Sequence, residues 1–156
     1  MPHRIQRFRL LLVKEGPSIT TTWDRQVREA RDVAEFMAPL VAQLDREVFH
    51  VLFLNGRNAV VGLHVVSVGS LTAALVHPRE VFKAAILANA AAVILVHNHP
   101  SGQAEPSAED RALTRRLSEV GDLVGIRVLD HIVVGDGGAF CSLADEGLLG
   151  GEGAWK

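Results

Sequence analysis

The chain has 156 residues, of which 48% are hydrophobic and 22% charged, and this size and composition are typical of one globular domain with a sizeable core. A net charge of −2 argues against a general nucleic-acid binder, and the single cysteine, Cys141, excludes a disulfide framework and a cysteine-rich zinc site. No apolar run reaches the length of about 18 residues that a membrane span needs, so we expect a cytoplasmic protein.

Residues 1–29 are predicted to form an amino-terminal arm, with a loosely alternating strand over residues 5–13. Over residues 1–31 lysine and arginine outnumber aspartate and glutamate by seven to three, whereas the rest of the chain is acidic. A basic arm is typical of some nucleic-acid-binding proteins. A solvated, partly flexible end explains the same charges and is the preferred interpretation.

The next elements are a helix and a hairpin. An apolar stripe at helical spacing predicts a helix over residues 29–44, which Pro39 should kink or divide into two segments. Strands over residues 47–54 and 60–68 follow, joined by an Asn-Gly-Arg-Asn turn that is typical of hairpins. A second helix should run over residues 78–89, because proline is favoured at the first helical position.

A possible metal site follows the apolar residues 91–96, which predict a buried strand. This strand delivers His97 and His99 at its carboxyl end, and residues i and i+2 of a strand point to the same side, about 6–7 Å apart. After a Pro- and Gly-containing turn, Ser107 opens a helix with Asp110 in its first turn. Two imidazoles and one carboxylate are a ligand set of catalytic zinc, with water in the fourth position. We therefore predict one zinc per chain, bound by His97, His99 and Asp110.

The carboxyl-terminal part completes a mixed fold. The helix after Ser107 should end near Gly121, strands are predicted over residues 126–134 and 139–143, and residues 146–156 form a glycine-rich tail. Helices and strands alternate, and hairpins lie at both ends. This order predicts an α/β (mixed α+β) domain with one mixed β-sheet flanked by helices.

The string His-Asn-His-Pro-Ser-Gly over residues 97–102, followed by Pro-Ser-x-x-Asp over 106–110, resembles the JAMM motif of the JAB/MPN metallopeptidases, and particularly their bacterial RadC-like branch. Further similar stretches are residues 45–49, 77–82 and 129–132. The resemblance covers about residues 30–143, and we assign residues 30–145 to a RadC-like JAB/MPN domain. It implies the JAB/MPN fold, which is related to the cytidine-deaminase-like architecture.

The resemblance also implies a reaction. Zinc lowers the pKa of its bound water to about 7, and a carboxylate beside that water can take its proton and later donate it to a leaving amine. The family motif assigns this carboxylate to Glu47, and the Ser107 hydroxyl helps to stabilise the oxyanion. The expected function is a zinc-dependent metallohydrolase that cleaves a peptide or isopeptide bond of a peptide or protein substrate. The sequence indicates no particular substrate and no oligomeric state.

Spacing alone does not select Glu47 as the base, because Glu80, Glu105 and Glu109 lie nearer to the histidines in the sequence. Glu47 opens an apolar strand and shares a face with Phe49, and a charged residue on an apolar face usually has a partner or a function. The alternative is a strand-edge charge paired with an arginine.

Other residues also have a structural explanation. Ser107 and Asp110 fit a helix capping box, which is compatible with metal binding by Asp110. His131 follows Asp130 in a predicted strand. We interpret these two as a satisfied core pair, although Asp130 could also orient the imidazole.

Three other functions compete. A zinc nucleobase deaminase needs a Pro-Cys-x-x-Cys string, which a chain with one cysteine lacks. A scaffold domain of the MPN type typically lacks the metal ligands that are present here. The remaining alternative is a DNA-repair-associated or DNA-binding module without peptidase activity, which only the basic arm favours. A salt-dependent affinity for duplex DNA would support it.

Overall fold

The computed structural model describes residues 6–20, 24–69 and 76–149, and within them the chain forms one five-stranded sheet with three helices packed on it. The helices are α1 (Ala30–Val41), α2 (Pro78–Leu87) and α3 (Ala108–Val124). The strands are β1 (Val48–Leu54), β2 (Val60–Val68), β3 (Ala92–Asn98), β4 (Arg127–Val134) and β5 (Phe140–Ser142).

The sheet is mixed, with strand order β2-β1-β3-β4-β5. β3 and β4 run parallel, and the other neighbouring strands are antiparallel. One face of the sheet packs against α1, and the other packs against α2 and α3. The predicted mixed sheet flanked by helices is therefore confirmed.

β3 lies at the centre of the sheet, and all of its residues are buried. Val93 and Leu95 pack toward α2 and α3, whereas Ile94 packs toward α1, because successive side chains of a strand alternate between the faces. By the same alternation His97 points to the α3 side. The antiparallel register places Phe49 of β1 opposite His97, so β1 forms one wall of the region around this histidine.

α3 continues beyond its predicted end at Gly121. The helix ends at Val124, where Gly125 takes the left-handed conformation that closes many helices. Gly121 instead permits close packing, since a Cβ at this position would lie 2.5 Å from the carbonyl oxygen of Ile126. The glycine in the sequence therefore marks a contact between α3 and the start of β4 rather than a helix terminus.

The terminal regions also differ from expectation. α1 is one helix that includes Pro39 in its last turn, so the proline does not divide it into two segments. Residues 6–13 form no strand, and Ile5 lies outside the described residues. Leu149, in the segment predicted as tail, is buried in the core beside α2 and α3, while residues 150–156 lie outside the described part. Among the described residues no helix is long and apolar enough to cross a membrane.

The loop that follows β3 is held by the turn that follows β4. The His99 N–H donates to the Val134 carbonyl at 2.9 Å, and the Asp136 N–H donates to the Gly102 carbonyl at 2.9 Å. Gly135 lies in the middle of this contact, and a Cβ there would lie 2.3 Å from the Gly102 carbonyl oxygen. The two loops can approach this closely only without a side chain at Gly135, and their approach positions His99.

Substitution of Gly135 by alanine should therefore push the two loops apart. We expect Gly135→Ala to lower the free energy of unfolding by about 1–3 kcal/mol, the usual cost of overpacking, as measured by urea denaturation. Gly56→Ala, in the β1–β2 turn, is the matched control, because a Cβ there meets nothing within 4 Å. Equal unfolding free energies for the two variants would contradict this account of the loop contact.

Candidate metal centre

Three polar side chains converge beyond the carboxyl end of β3. His97 Nε2 lies 2.9 Å from His99 Nε2 and 3.3 Å from Asp110 Oδ1, and His99 Nε2 lies 3.4 Å from Asp110 Oδ2. The candidate ligand atoms of the three residues lie within 4.8 Å of one another. His97 is fully buried and Asp110 nearly so, while His99 is partly open to solvent. The strand and the first turn of α3 thus bring together all three residues that spacing had selected.

This arrangement fits a tetrahedral zinc ion. Ligand atoms about 2.0–2.1 Å from zinc stand about 3.3 Å from one another, close to the observed separations. The Nδ1 of His99 lies 2.9 Å from the carbonyl oxygen of Gln103. That oxygen can only accept, so Nδ1 carries the proton, and in the neutral ring Nε2 presents its lone pair to the site. In that form the lone pair faces a second imidazole and a carboxylate, an arrangement that a cation would stabilise, whether a proton on an imidazole or a metal ion, so this residue set can hold a metal.

Asp110 is anchored by the helix that carries it. Its backbone N–H donates to Ser107 Oγ at 3.0 Å, and its Oδ2 accepts from the Ser107 N–H at 2.8 Å, so the predicted capping box is present. Burial alone would raise the pKa of Asp110, but interactions with the imidazoles of His97 and His99, which take effect when those rings are protonated, outweigh it and hold this pKa well below its ordinary value. The cap and the site therefore use the same carboxylate, which is ionised at neutral pH.

His131 lies directly behind His97, and the sequence analysis did not assign it to the site. Its Nε2 lies 2.8 Å from His97 Nδ1, and its Nδ1 lies 2.5 Å from Thr114 Oγ1 on α3. The ring is fully buried, and burial holds the pKa of His131 well below its ordinary value, so the imidazole is neutral. Phe49 stacks on His97 and meets His131 edge-on, which closes this side of the site to water.

Asp130 and His131 are both buried with their hydrogen bonds satisfied, as predicted, but the two ring nitrogens of His131 contact His97 and Thr114, so Asp130 does not orient the imidazole. Its carboxylate accepts from the Ser142 hydroxyl at 2.6 Å, from the Ala144 N–H at 2.9 Å, and from the backbone N–H of His131 at 2.7 Å. Burial raises the pKa of Asp130 to about 6. Asp130 thus fixes β5 and the segment after it, while the His131 ring serves a different part of the molecule.

Glu47 precedes β1 and is half-buried. The β1–β3 register pairs Phe49 with His97, and two further steps along it would place Glu47 opposite His99. Contact with the Asp110 carboxylate is the main influence that raises the pKa of His99, and the charge of Glu47 adds to it. The three other carboxylates that were considered as bases do not share this position: Glu80 pairs with Lys83, and Glu105 and Glu109 are exposed.

Asn98, between the two histidines, clamps the backbone on both sides of Glu47. Its Oδ1 accepts from the Val48 N–H at 2.9 Å, and its Nδ2 donates to the Arg46 carbonyl at 2.9 Å. Asn98 is buried, and it points away from the α3 side that His97 faces. The strand that delivers the two histidines therefore also fixes the backbone just before β1, where Glu47 lies.

Removal of this clamp should destabilise the fold. We expect Asn98→Ala to lower the free energy of unfolding by about 1–3 kcal/mol, because the buried Val48 N–H would lose its acceptor. Asn98→Asp keeps that acceptor but sets a buried carboxylate oxygen against the Arg46 carbonyl, so it should also lower the free energy of unfolding while it preserves the bond to Val48. Urea denaturation measures both, and amide hydrogen exchange at Val48 should accelerate more in the alanine variant. An alanine variant as stable as the wild type would contradict the clamp.

Comparison with known proteins agrees with this geometry. Residues 27–148 match the family model described as the RadC-like JAB domain. A UPF0758 protein of Symbiobacterium thermophilum is 58% identical over 121 residues, which are 78% of this chain and 51% of that protein. UPF0758 proteins of Rubrobacter xylanophilus and Methanosarcina mazei are 52% and 47% identical over 76% and 80% of this chain, and over 51% and 54% of their own lengths. The chain thus spans about half the length of these relatives, whose names state no activity.

Proposed function

The chain belongs to the RadC-like JAB domain family, and we propose that it is a zinc-dependent metallohydrolase that cleaves a peptide or isopeptide bond. One observation carries this proposal: two imidazoles and one carboxylate converge within 4.8 Å at the end of the central strand. The site combines buried groups with one partly exposed histidine, His99, which is its opening to solvent.

His97, His99 and Asp110 would hold the metal, which when bound would lower the pKa of a water molecule to about 7 and polarise the substrate carbonyl. Glu47 would accept a proton from that water as the water attacks the carbonyl carbon. It would then donate the proton to the amine nitrogen as the amide bond breaks. Continued by two residues, the β1–β3 register would place Glu47 opposite His99, and the charge of Glu47 helps to raise the pKa of His99; both points support this role.

Ser107 would act on the opposite side of the reacting carbonyl. Its Oγ accepts the Asp110 N–H at 3.0 Å, and the hydroxyl has one proton of its own that it can donate. Hydrogen bonds aimed at the oxygen that becomes negative in the transition state are among the largest contributions to catalysis. The capping box would hold the hydroxyl in place for this purpose.

Cys141 does not offer a competing nucleophile. Burial and a hydrogen bond to Glu146 raise the pKa of Cys141 to about 12, so the thiol stays protonated at neutral pH. Catalysis would therefore depend on the His-His-Asp site. A single unpaired cysteine is also consistent with the reducing cytoplasm that we propose as the compartment.

A cleavage screen tests this function. Zinc-loaded protein is incubated with a library of peptides and of isopeptide-linked lysines, and new termini are identified by mass spectrometry. A His99→Ala protein, prepared in the same way, serves as the blank for contaminating proteases. Cleavage by the wild type that is absent in the blank supports the proposal. Cleavage at the same rate by both proteins, or cleavage of none of the library, counts against it.

A further inference from the structure

Three consecutive hydrogen bonds link four groups, and the first and the last of these groups belong to candidate metal ligands. The series starts at the backbone carbonyl of Asp110, which accepts from Thr114 Oγ1 at 2.6 Å. It continues from Thr114 Oγ1 to His131 Nδ1 at 2.5 Å, and from His131 Nε2 to His97 Nδ1 at 2.8 Å. Thr114, His131 and His97 are each fully buried. No solvent therefore competes for these bonds.

The direction of every proton in this series follows from the first bond. A carbonyl oxygen can only accept, so the single hydroxyl proton of Thr114 is donated to Asp110. Toward His131 the same hydroxyl can then only accept, and His131 Nδ1 must carry a proton. The two ring nitrogens of His131 contact an imidazole and a hydroxyl and not a carboxylate, and an unpaired cation at a fully buried position is costly. The ring is therefore neutral, its Nε2 accepts, and His97 Nδ1 is the donor.

From this order we propose that Thr114 and His131 are positioning residues that fix the tautomer of His97. Because Nδ1 of His97 holds the proton, its Nε2 presents a lone pair to the point where His99 and Asp110 converge. Thr114 acts on His97 through His131, and it is also hydrogen-bonded to the backbone of Asp110. α3 therefore sets both the place of Asp110 and the tautomer of His97. Partners behind a metal ligand commonly change metal affinity by ten- to a hundredfold.

This inference rests on the metal-binding part of the proposed function and not on hydrolysis. The first test needs neither metal nor substrate. Two-dimensional ¹H–¹⁵N spectra that correlate ring nitrogens with ring protons distinguish the two neutral tautomers of each histidine in metal-free protein at mildly alkaline pH. We expect the Nδ1–H form for both His97 and His131. An Nε2–H form of either ring in the wild-type protein would overturn the proposal.

The second test measures zinc dissociation constants by competition with a chromophoric chelator. His131→Phe keeps an aromatic ring but removes the acceptor for His97, and it should weaken zinc binding by about ten- to a hundredfold. Thr114→Val should weaken binding less and shift the His131 tautomer, and Thr114→Ser should restore both. His50→Phe is the matched control, since His50 is also buried but lies on the opposite face of β1 from Phe49.

The outcomes separate the inference from the proposed function. If the wild type binds zinc and His131→Phe and Thr114→Val bind it equally well, the positioning role is wrong and the metal centre stands. If His50→Phe weakens binding as much as His131→Phe, the effect is general loss of packing and the positioning role is again wrong. Wild-type protein that binds no zinc contradicts the metal centre, while the tautomers of His97 and His131 still test the proposed order of the hydrogen bonds. If His131→Phe does not fold, the zinc affinities of Thr114→Val and Thr114→Ser decide whether the positioning role is right.

Discussion

Replacement of His99 by alanine is expected to lower the affinity for zinc by on the order of a hundredfold or more, because it would remove one of the three proposed protein ligands, each of which contributes several kcal/mol to the binding free energy of such sites. His99 is the ligand best suited to this test. Its side chain is 14% exposed, whereas that of His97 is fully buried, so truncation of His99 leaves no large cavity. Zinc affinity is measured by chelator competition, and thermal unfolding should show that the variant is folded.

The matched control for this substitution is His64→Ala. His64 lies on β2 and is exposed, and it is not part of the convergent group. Its removal should leave the zinc affinity unchanged. An equal loss of zinc binding in both variants, or unaltered binding in His99→Ala, would show that the metal is held elsewhere.

Replacement of Glu47 by glutamine should lower the rate of hydrolysis by about a hundredfold or more, the usual effect of losing a general base. Glutamine has nearly the same shape but does not take a proton from water. The zinc affinity should not change, because the proposed base is not a ligand. The expected signature is therefore loss of turnover at constant metal content, once the cleavage screen has supplied a substrate.

Glu109→Gln is the comparison for Glu47→Gln. Glu109 is the neighbour of Asp110 in the sequence, but it is exposed in the first turn of α3, where its charge interacts with the helix dipole. This variant should retain full turnover. If Glu109→Gln loses activity and Glu47→Gln keeps it, the base has been assigned to the wrong carboxylate.

Much of the fold and the candidate ligand set could be predicted from local patterns. The apolar run before His97 is uninterrupted because β3 is covered on both faces, and such runs are a strong signal of a central strand. Ser107 and Asp110 are three residues apart, and this spacing is set by the first turn of a helix. Both signals depend only on neighbouring residues, so no knowledge of the tertiary structure was needed.

The groups behind the ligands depend on contacts between distant parts of the chain, and this is why they were missed. His131 was paired with its neighbour Asp130, although adjacent strand residues point to opposite faces, and this alternation was a usable signal. Thr114 lies inside α3 and has no motif around it, and its role depends on how the helix packs against β4. No separate role was predicted for Asn98, and only the antiparallel pairing of β1 with β3 brings Val48 within reach of its side chain.

We propose above all that His97, His99 and Asp110 together hold one zinc ion. Titration of metal-free wild-type protein with Zn²⁺, followed by calorimetry and by the ¹⁵N shifts of the histidine rings, tests it most directly. The account predicts one zinc per chain, with metal-induced shifts at Nε2 of His97 and of His99. Absence of zinc binding, or binding that shifts other histidines and leaves these two unchanged, would contradict it.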